Sequence, residues 1–300
     1  MLLRWLDWCT VEGSPRRGTM RDLAGRVAVV TGGGSGIGRG IALGLAAESM
    51  TVAIADIRCA SARAVADEII ERGGRAFAVQ ADVTSVESLA MAAKQVAAEA
   101  GGVNLLCANA GVLARMASHD DHSVEDWEYT LSVNVMGIVK TVKAFLPLLR
   151  KSAPDAHIVN TASLGGLMAT AALPISAYVA SKYACVGYSE TLRGELAAEQ
   201  IGVSVLCPGV VASDLVNTSS QNRPEGFGLR AAADPIPAPA AESPPEIAET
   251  AMAAEEVGPI VIDAIRANRL HILTHPEARP AVEQRFQMIR DDFEFAVNAR

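Results

Sequence analysis

The chain of 300 residues is half hydrophobic, enough to bury one core of roughly 250 residues with extensions to spare. A formal net charge of −8 without any basic stripe argues against nucleic acid as a partner. Five scattered cysteines, Cys9, Cys59, Cys107, Cys185 and Cys207, fit thiols in a reducing cytoplasm better than a disulfide or zinc framework.

Residues 1–19 stand apart from the rest of the chain. Arg4 and Asp7 interrupt the apolar core that a signal peptide needs, and Trp5 and Trp8 offer little area to hold a membrane. The expectation is an extension outside the fold, reflecting an upstream start, with Met20 opening a single domain over 20–300. No stretch approaches the roughly 18–20 apolar residues of a membrane span. Residues 26–31 form a short β-branched run, the pattern of a parallel strand buried on both faces. The run leads into Thr-Gly-Gly-Gly-Ser-Gly-Ile-Gly at 31–38, after which Ile41, Leu43, Leu45 and Ala46 begin a helix. Strand, glycine turn and helix in that order make a seat for phosphates at a helix N-terminus. Gly32 and Gly36 allow backbone conformations that a Cβ forbids, Gly38 lets the helix pack close to the strand, and Ser35 and Ile37 complete the turn.

Strands and helices then alternate: strand 51–56, helix 59–72, strand 76–80, helix 86–100, strand 105–108, a long helix over 124–151, strand 157–161, helix 176–199 and strand 203–207. This spacing predicts an α/β fold, a doubly wound parallel sheet with helices on both faces. The proline-rich stretch 231–246 cannot be regular helix or central strand, so 214–252 reads as a mobile flap over the substrate. Helix 255–267, strand 270–273 and a C-terminal helix from about 278 to 299 close the chain. No metal site is expected. His119-Asp-Asp-His122 falls in a polar loop without a third ligand, and His271 and His275 suit capping or surface roles.

Tyr178 and Lys182 lie one helical turn apart. Moving a hydride to or from a carbinol carbon requires a base for the hydroxyl proton, and a free phenol, with a reference pKa of about 10, is a poor one at neutral pH. A neighbouring cation favours the phenolate, and Lys182 supplies it. Ser163 follows strand 157–161, in the crevice beyond the strand ends, where its hydroxyl can meet the substrate oxygen. Asn134 sits in mid-helix, where an amide costs helix propensity.

The glycine turn at 31–38, Asp82-Val83, Asn109-Ala-Gly111, Asn134 in Ser-Val-Asn-Val-Met-Gly, Ser163, Tyr178 with Lys182, and Pro208-Gly209 occur in the order of the short-chain dehydrogenase/reductase family, which the chain resembles over about 24–275. The resemblance implies a Rossmann-type sheet and a catalytic set of Asn134, Ser163, Tyr178 and Lys182, with Asn134 kinking its helix and holding a water that relays protons to Lys182. It also implies that Asp82 and Val83 flank the adenine and that Asn109, Ala110 and Gly111 line the ribose side. Backbone from Pro208 and Gly209 to Val211 would hold the nicotinamide carboxamide, joined by Ser213, while Tyr178 and Lys182 also touch the cofactor. Two features depart from the commonest pattern: the 15-residue spacing from Ser163 to Tyr178, and the long proline-rich segment after Pro208-Gly209. Family members commonly form homotetramers or homodimers through the helices at 124–151 and 176–199.

Asp56, at the end of the second strand, is placed to hydrogen-bond the adenosine ribose and to repel a 2′-phosphate. Ser35 stands where NADP-preferring relatives carry a basic residue, so the expected cofactor is NAD rather than NADP, against the presence of Arg39 and Arg58. Val112, Leu113, Met116, Leu164, Leu167, Met168, Leu173, Leu215 and Val216 are expected to make an apolar substrate wall, suited to a hydrophobic secondary alcohol or ketone. The alternative function is a nucleotide-binding protein on the same scaffold without turnover.

Overall fold

The computed structural model describes residues 20–169, 173–227 and 251–298. The extension 1–19 and the proline-rich part of the expected flap lie outside the described residues. Seven strands form one parallel sheet in the order β3-β2-β1-β4-β5-β6-β7: β1 (Val27–Thr31), β2 (Thr51–Asp56), β3 (Arg75–Gln80), β4 (Leu105–Ala108), β5 (Ala156–Thr161), β6 (Ile201–Cys207) and β7 (His271–Leu273). Strands β1, β4, β5 and β6 are buried along their whole length, which is why they read as continuous apolar runs rather than as alternation.

Side chains of each strand divide between two cores. On one face, Val27, Val29 and Leu106 meet α3 (Val86–Ala100), α5 (Ile138–Ser152) and α6 (Ser176–Glu195) through Leu89, Phe145 and Leu192. On the other, Ala28, Val30 and Leu105 meet α1 (Gly36–Ala47), α2 (Cys59–Glu71) and α8 (Ala254–Arg266) through Leu45, Ile69 and Val261. The fold is therefore doubly wound, Rossmann-like, as the alternation predicts. Helix α1 lies so close to α8 that a Cβ on Gly40 would fall 1.8 Å from the carbonyl oxygen of Ala254, and one on Gly44 3.0 Å from Gly258 Cα.

The expected helix over 124–151 is two helices. After α4 (Val124–Leu131) comes one π-helical segment, Ser132–Gly137, before α5 begins. By length and composition Val124–Ser152 is apolar enough to cross a membrane, contrary to the sequence reading, yet Phe145 and Leu149 on it are wholly buried in the core. Helix α6 stops at Glu195 and passes through a 3-10 turn, Ala197–Glu199, into β6, because Gln200 takes a left-handed conformation (φ 59°). The first part of the expected flap holds α7 (Leu215–Gln221) and a 3-10 turn, Glu225–Phe227. The C-terminal helix, α9, spans Arg279–Asn298.

Candidate active site

The strand order reverses between β1 and β4, and a crevice opens beyond their carboxyl ends. Asn109, just after β4, ties it together. Its Nδ2 donates to the carbonyls of Thr31 (3.1 Å) and Gly32 (3.4 Å), and its Oδ1 accepts from Thr161 Oγ1 (3.1 Å) at the end of β5. Thr31 Oγ1 in turn accepts from the amides of Asn109 and Ala110. The sequence reading took Thr31 only as the first residue of the glycine turn and did not single out Thr161; the signal of both is a hydroxyl at the last position of an apolar strand.

A cleft of ≈ 410 Å³ fills the crevice. It is lined by all the residues assigned to the cofactor, from Gly32, Ser35, Gly36, Ile37 and Gly38 through Asp56, Asp82, Val83, Asn109, Ala110 and Gly111 to Pro208, Gly209, Val211 and Ser213. The glycine turn fits a dinucleotide. Gly38 has no room for a Cβ, which would lie 2.1 Å from the Gly32 carbonyl oxygen, and Gly36 (φ +49°) faces Ser213 across the cleft. Helix α1 begins without a capping hydrogen bond from Ser35, an arrangement that leaves N-terminal amides for an anion. Asp56 stands beside the turn, accepting from the amides of Gly34 and Arg58, both at 3.0 Å. Of the two arginines near it, Arg39 is held by Glu68 (2.7 Å) and Glu255; those two carboxylates raise its pKa, and it points away from the cleft that Arg58 lines.

Ser163, Tyr178 and Lys182 line the same cleft. Lys182 is buried, donates from Nζ to the carbonyl of Thr161 (3.1 Å), and sits 5.3 Å from the centroid of the Tyr178 ring. Asn134 lies behind this pair, wholly buried in the π segment. Its Oδ1 accepts from the amide of Val112 (2.8 Å), and its Nδ2 donates to the Val112 carbonyl (2.9 Å) and to Ser181 Oγ (3.0 Å). A Cβ on Gly111 would come within 3.4 Å of both Asn134 Oδ1 and Lys182 Nζ, so Gly111 is the gap between the two polar groups.

Ser163 Oγ accepts from the amide of Gly165, and the next amide, Leu164, donates to the Pro208 carbonyl (2.8 Å). The loop after β5 is thereby fixed to the loop after β6. His275, expected at the surface or in a cap, is a strut for that second loop: its Nδ1 accepts from the Gly209 amide (3.2 Å) while its Nε2 meets the Val210 carbonyl (3.1 Å).

The substrate wall is only partly as expected. Val112, Leu113, Leu215 and Val216 line the cleft; Met116, Leu164, Leu167, Met168 and Leu173 do not. Leu167 packs on the core instead, and Met116 and Leu173 are exposed. Helix α7 contributes Thr218, and Asn222 and Pro224 follow it. This segment is pinned to α4 by groups the sequence reading missed. Arg223 pairs with Asp126 (2.5 Å), both side chains 7% exposed, and donates to the Phe227 carbonyl (2.6 Å). Tyr129, pushed up to about 12 by burial and so kept neutral, donates to the Ser219 carbonyl (3.0 Å), and the Leu113 amide donates to Ser219 Oγ (2.9 Å). Among the described residues, no three His, Cys, Asp or Glu gather as metal ligands would. In the polar loop, His122 Nε2 meets the Arg115 carbonyl.

Known proteins resemble this chain over most of its length. The family model described as short chain dehydrogenase matches residues 26–224. A dehydrogenase/reductase of CLA biosynthesis from Lactiplantibacillus plantarum is 31% identical over 284 residues, 91% of this chain and 96% of the relative. Cyclohexanol dehydrogenase from Acinetobacter sp. (strain SE19) is 33% identical over 191 residues, 64% of this chain and 75% of that enzyme. A crystal structure of a relative from Burkholderia phymatum in complex with NAD superposes with a TM-score of 0.82 at 32% identity, over 90% of this chain and 96% of the other.

Proposed function

The chain belongs to the short-chain dehydrogenase/reductase family, an NAD(P)-dependent oxidoreductase acting on alcohols and ketones, and we propose that it interconverts a hydrophobic secondary alcohol and its ketone with NAD. The observation that carries this reading is the buried Lys182 ammonium over the Tyr178 ring, with Ser163 in the same cleft. A nicotinamide held by the loop from Pro208 to Ser213 would supply the hydride chemistry, in either direction. Tyr178 takes the substrate's hydroxyl proton or returns it. Lys182, with its ammonium held by the Thr161 carbonyl, favours the phenolate. Ser163 donates to the substrate oxygen and stabilises charge developing there. Asn134 spends its side chain on Val112 and Ser181, so its part is to fix the loop beside Lys182; the water relay to Lys182 would then run through its main chain.

The residues that would hold the cofactor line the cleft: the turn from Gly32 to Gly38 for the phosphates, Asp56 for the ribose hydroxyls, Asp82 and Val83 for the adenine, and the loop from Pro208 to Ser213 for the carboxamide. Val112, Leu113, Leu215 and Val216 favour apolar substrates, as does the name of the cyclohexanol dehydrogenase among the relatives. The unpaired, buried thiols Cys107, Cys185 and Cys207 support a cytoplasmic setting, and association through α5 and α6 into dimers or tetramers completes the reading.

The test is nicotinamide absorbance with a panel of cyclic and aryl-alkyl secondary alcohols beside sugars and hydroxy acids. Turnover should be best on the apolar alcohols and fall by at least about a hundredfold in Tyr178→Phe, with cofactor affinity kept. Near-normal rates in that variant would remove the mechanism. Silence across the panel, with nucleotide binding retained, would favour a protein that binds without turnover.

A further inference from the structure

Helix α9 leaves the sheet after β7 and runs for 20 residues without a buried residue among them. Three phenylalanines on it are exposed: Phe286 is 47% exposed, Phe293 70% and Phe295 75%. Val282, Phe286, Ile289, Phe293 and Ala296 recur at spacings of four, three, four and three residues. That is a seven-residue repeat, which puts all five on one stripe of the helix. At a rise of about 1.5 Å per residue the stripe is roughly 21 Å long.

The charges beside the stripe specify what covers it. In an antiparallel pairing of α9 with a second α9, Val282 lies opposite Phe293 of the partner subunit, and Phe286 opposite Ile289 of the partner subunit. Glu283 then faces Arg290 of the partner subunit, and Arg285 faces Asp292 of the partner subunit. Every flanking contact joins opposite charges, and the twofold axis repeats each one. A parallel pairing would instead bring Arg285 against Arg290 of the partner subunit, a repulsion. Within one chain Glu283 and Arg290 meet only shallow neighbours on the same helix, Arg279 (2.7 Å) and Gln287 (2.7 Å), and both partnerships are exposed. Arg285 also lies 5.1 Å from the ring of Tyr183 on α6, next to the start of the stripe, whose exposure rises from 37% at Ile289 to 70% at Phe293.

We propose that α9 is a self-association element that pairs antiparallel with α9 of a second copy of this chain. The apolar stripe is carried by α9 and not by α5 or α6, so its pairing adds a second twofold contact beside any those helices form. The inference is independent of the enzymatic reading.

Sedimentation of the full chain at micromolar concentration tests it. Phe286→Glu with Phe293→Glu should halve the assembly mass without lowering the melting temperature, since neither side chain is buried in its own chain. Two charge variants, Arg285→Glu with Arg290→Glu and Glu283→Arg with Asp292→Arg, should each sediment at half the wild-type mass. Mixed in equal amounts, they should recover the wild-type mass. With Cys9 and Cys59 changed to Ser and the other three cysteines buried, Val282→Cys in one variant and Phe293→Cys in another should cross-link on mixing, while neither forms a disulfide alone. Unchanged mass in the phenylalanine variant overturns the proposal, as does a lowered melting temperature at unchanged mass, which would assign the stripe to another part of the same chain. Failure of the mixture to recover mass, or a disulfide between two copies of either the Val282→Cys or the Phe293→Cys variant, overturns the antiparallel register.

Discussion

Asp56 ends β2 with one carboxylate oxygen on the Gly34 amide and the other on the Arg58 amide, so the side chain is fixed in place before any cofactor arrives. A Cβ on Gly34 would lie 2.9 Å from that carboxylate, which explains why the turn carries a third glycine beyond those the phosphates require. The position was legible from the end of an apolar strand about 20 residues beyond the glycine turn. What the sequence left open was the pair of arginines, and the ion pairs of Arg39 remove one of them from consideration. Arg58 reaches Gln221 instead, at 3.3 Å. Asp56→Ser should therefore raise the NADP-to-NAD ratio of kcat/KM by about tenfold, because removing roughly 1.4 kcal/mol of repulsion toward a 2′-phosphate suffices for one decade. Steady-state kinetics with both cofactors measures it. A wild-type preference for NADP would place the choice with Arg58.

At the scale of elements, the interrupted helix α4–α5 and the latched helix α7 shape the substrate side of the cleft. A helical period was readable over 124–151, but nothing in a one-dimensional pattern distinguishes a π segment from an α turn; only Asn134 in an apolar stretch marked the place. The latch was illegible for a different reason. Arg223 and Asp126 are 97 residues apart, and only the fold brings them together. Burial pushes the Asp126 carboxyl up, but hydrogen bonds from Arg223 and from the Ser123 amide outweigh it and leave the group below its usual range. A carboxylate with a lowered pKa contributes stability above its unfolded value, and that contribution is lost as pH falls below about 4. Breaking a buried pair by removing one partner costs about 3–5 kcal/mol where the charge stays buried. Arg223→Met should thus loosen α7 and raise the substrate KM by tenfold or more, with cofactor affinity little changed. A KM within twofold of wild type would show that Tyr129 and Ser219 hold the segment without the ion pair.

For the molecule as a whole, the parallel sheet, its doubly wound helices and the four side chains proposed as catalytic were readable because each leaves a local mark: apolar runs, glycines at a turn, a Tyr and Lys one turn apart. Contacts between distant segments leave none. His157 is such a case, a histidine inside a wholly buried strand, its Nε2 2.8 Å from Ser204 Oγ and its ring against Gly202. Burial, helped by the charge of Arg193, holds its imidazole down at about 3. The unfolded chain takes up a proton near 6.5 that the folded one refuses, so the stability this group leaves intact above pH 6.5 declines toward pH 3, by up to about 1.4 kcal/mol per pH unit. His157→Gln should flatten that slope. Urea unfolding at pH 7, 5.5 and 4.5 compares the two proteins, and equal slopes would assign the acid sensitivity to other groups.

The glycine-to-glycine approach of α1 and α8 joins the beginning of the domain to its last quarter. During synthesis helix α1 is complete at Ala47, yet the surface it packs against is finished only at Arg266, about 220 residues later. At ribosomal rates of about 5–20 residues per second, that is a wait of roughly ten to forty seconds. Over that interval Ile41 and Leu45 lack the neighbours that α8 brings, and a nascent chain stalled before α8 would present them to chaperones.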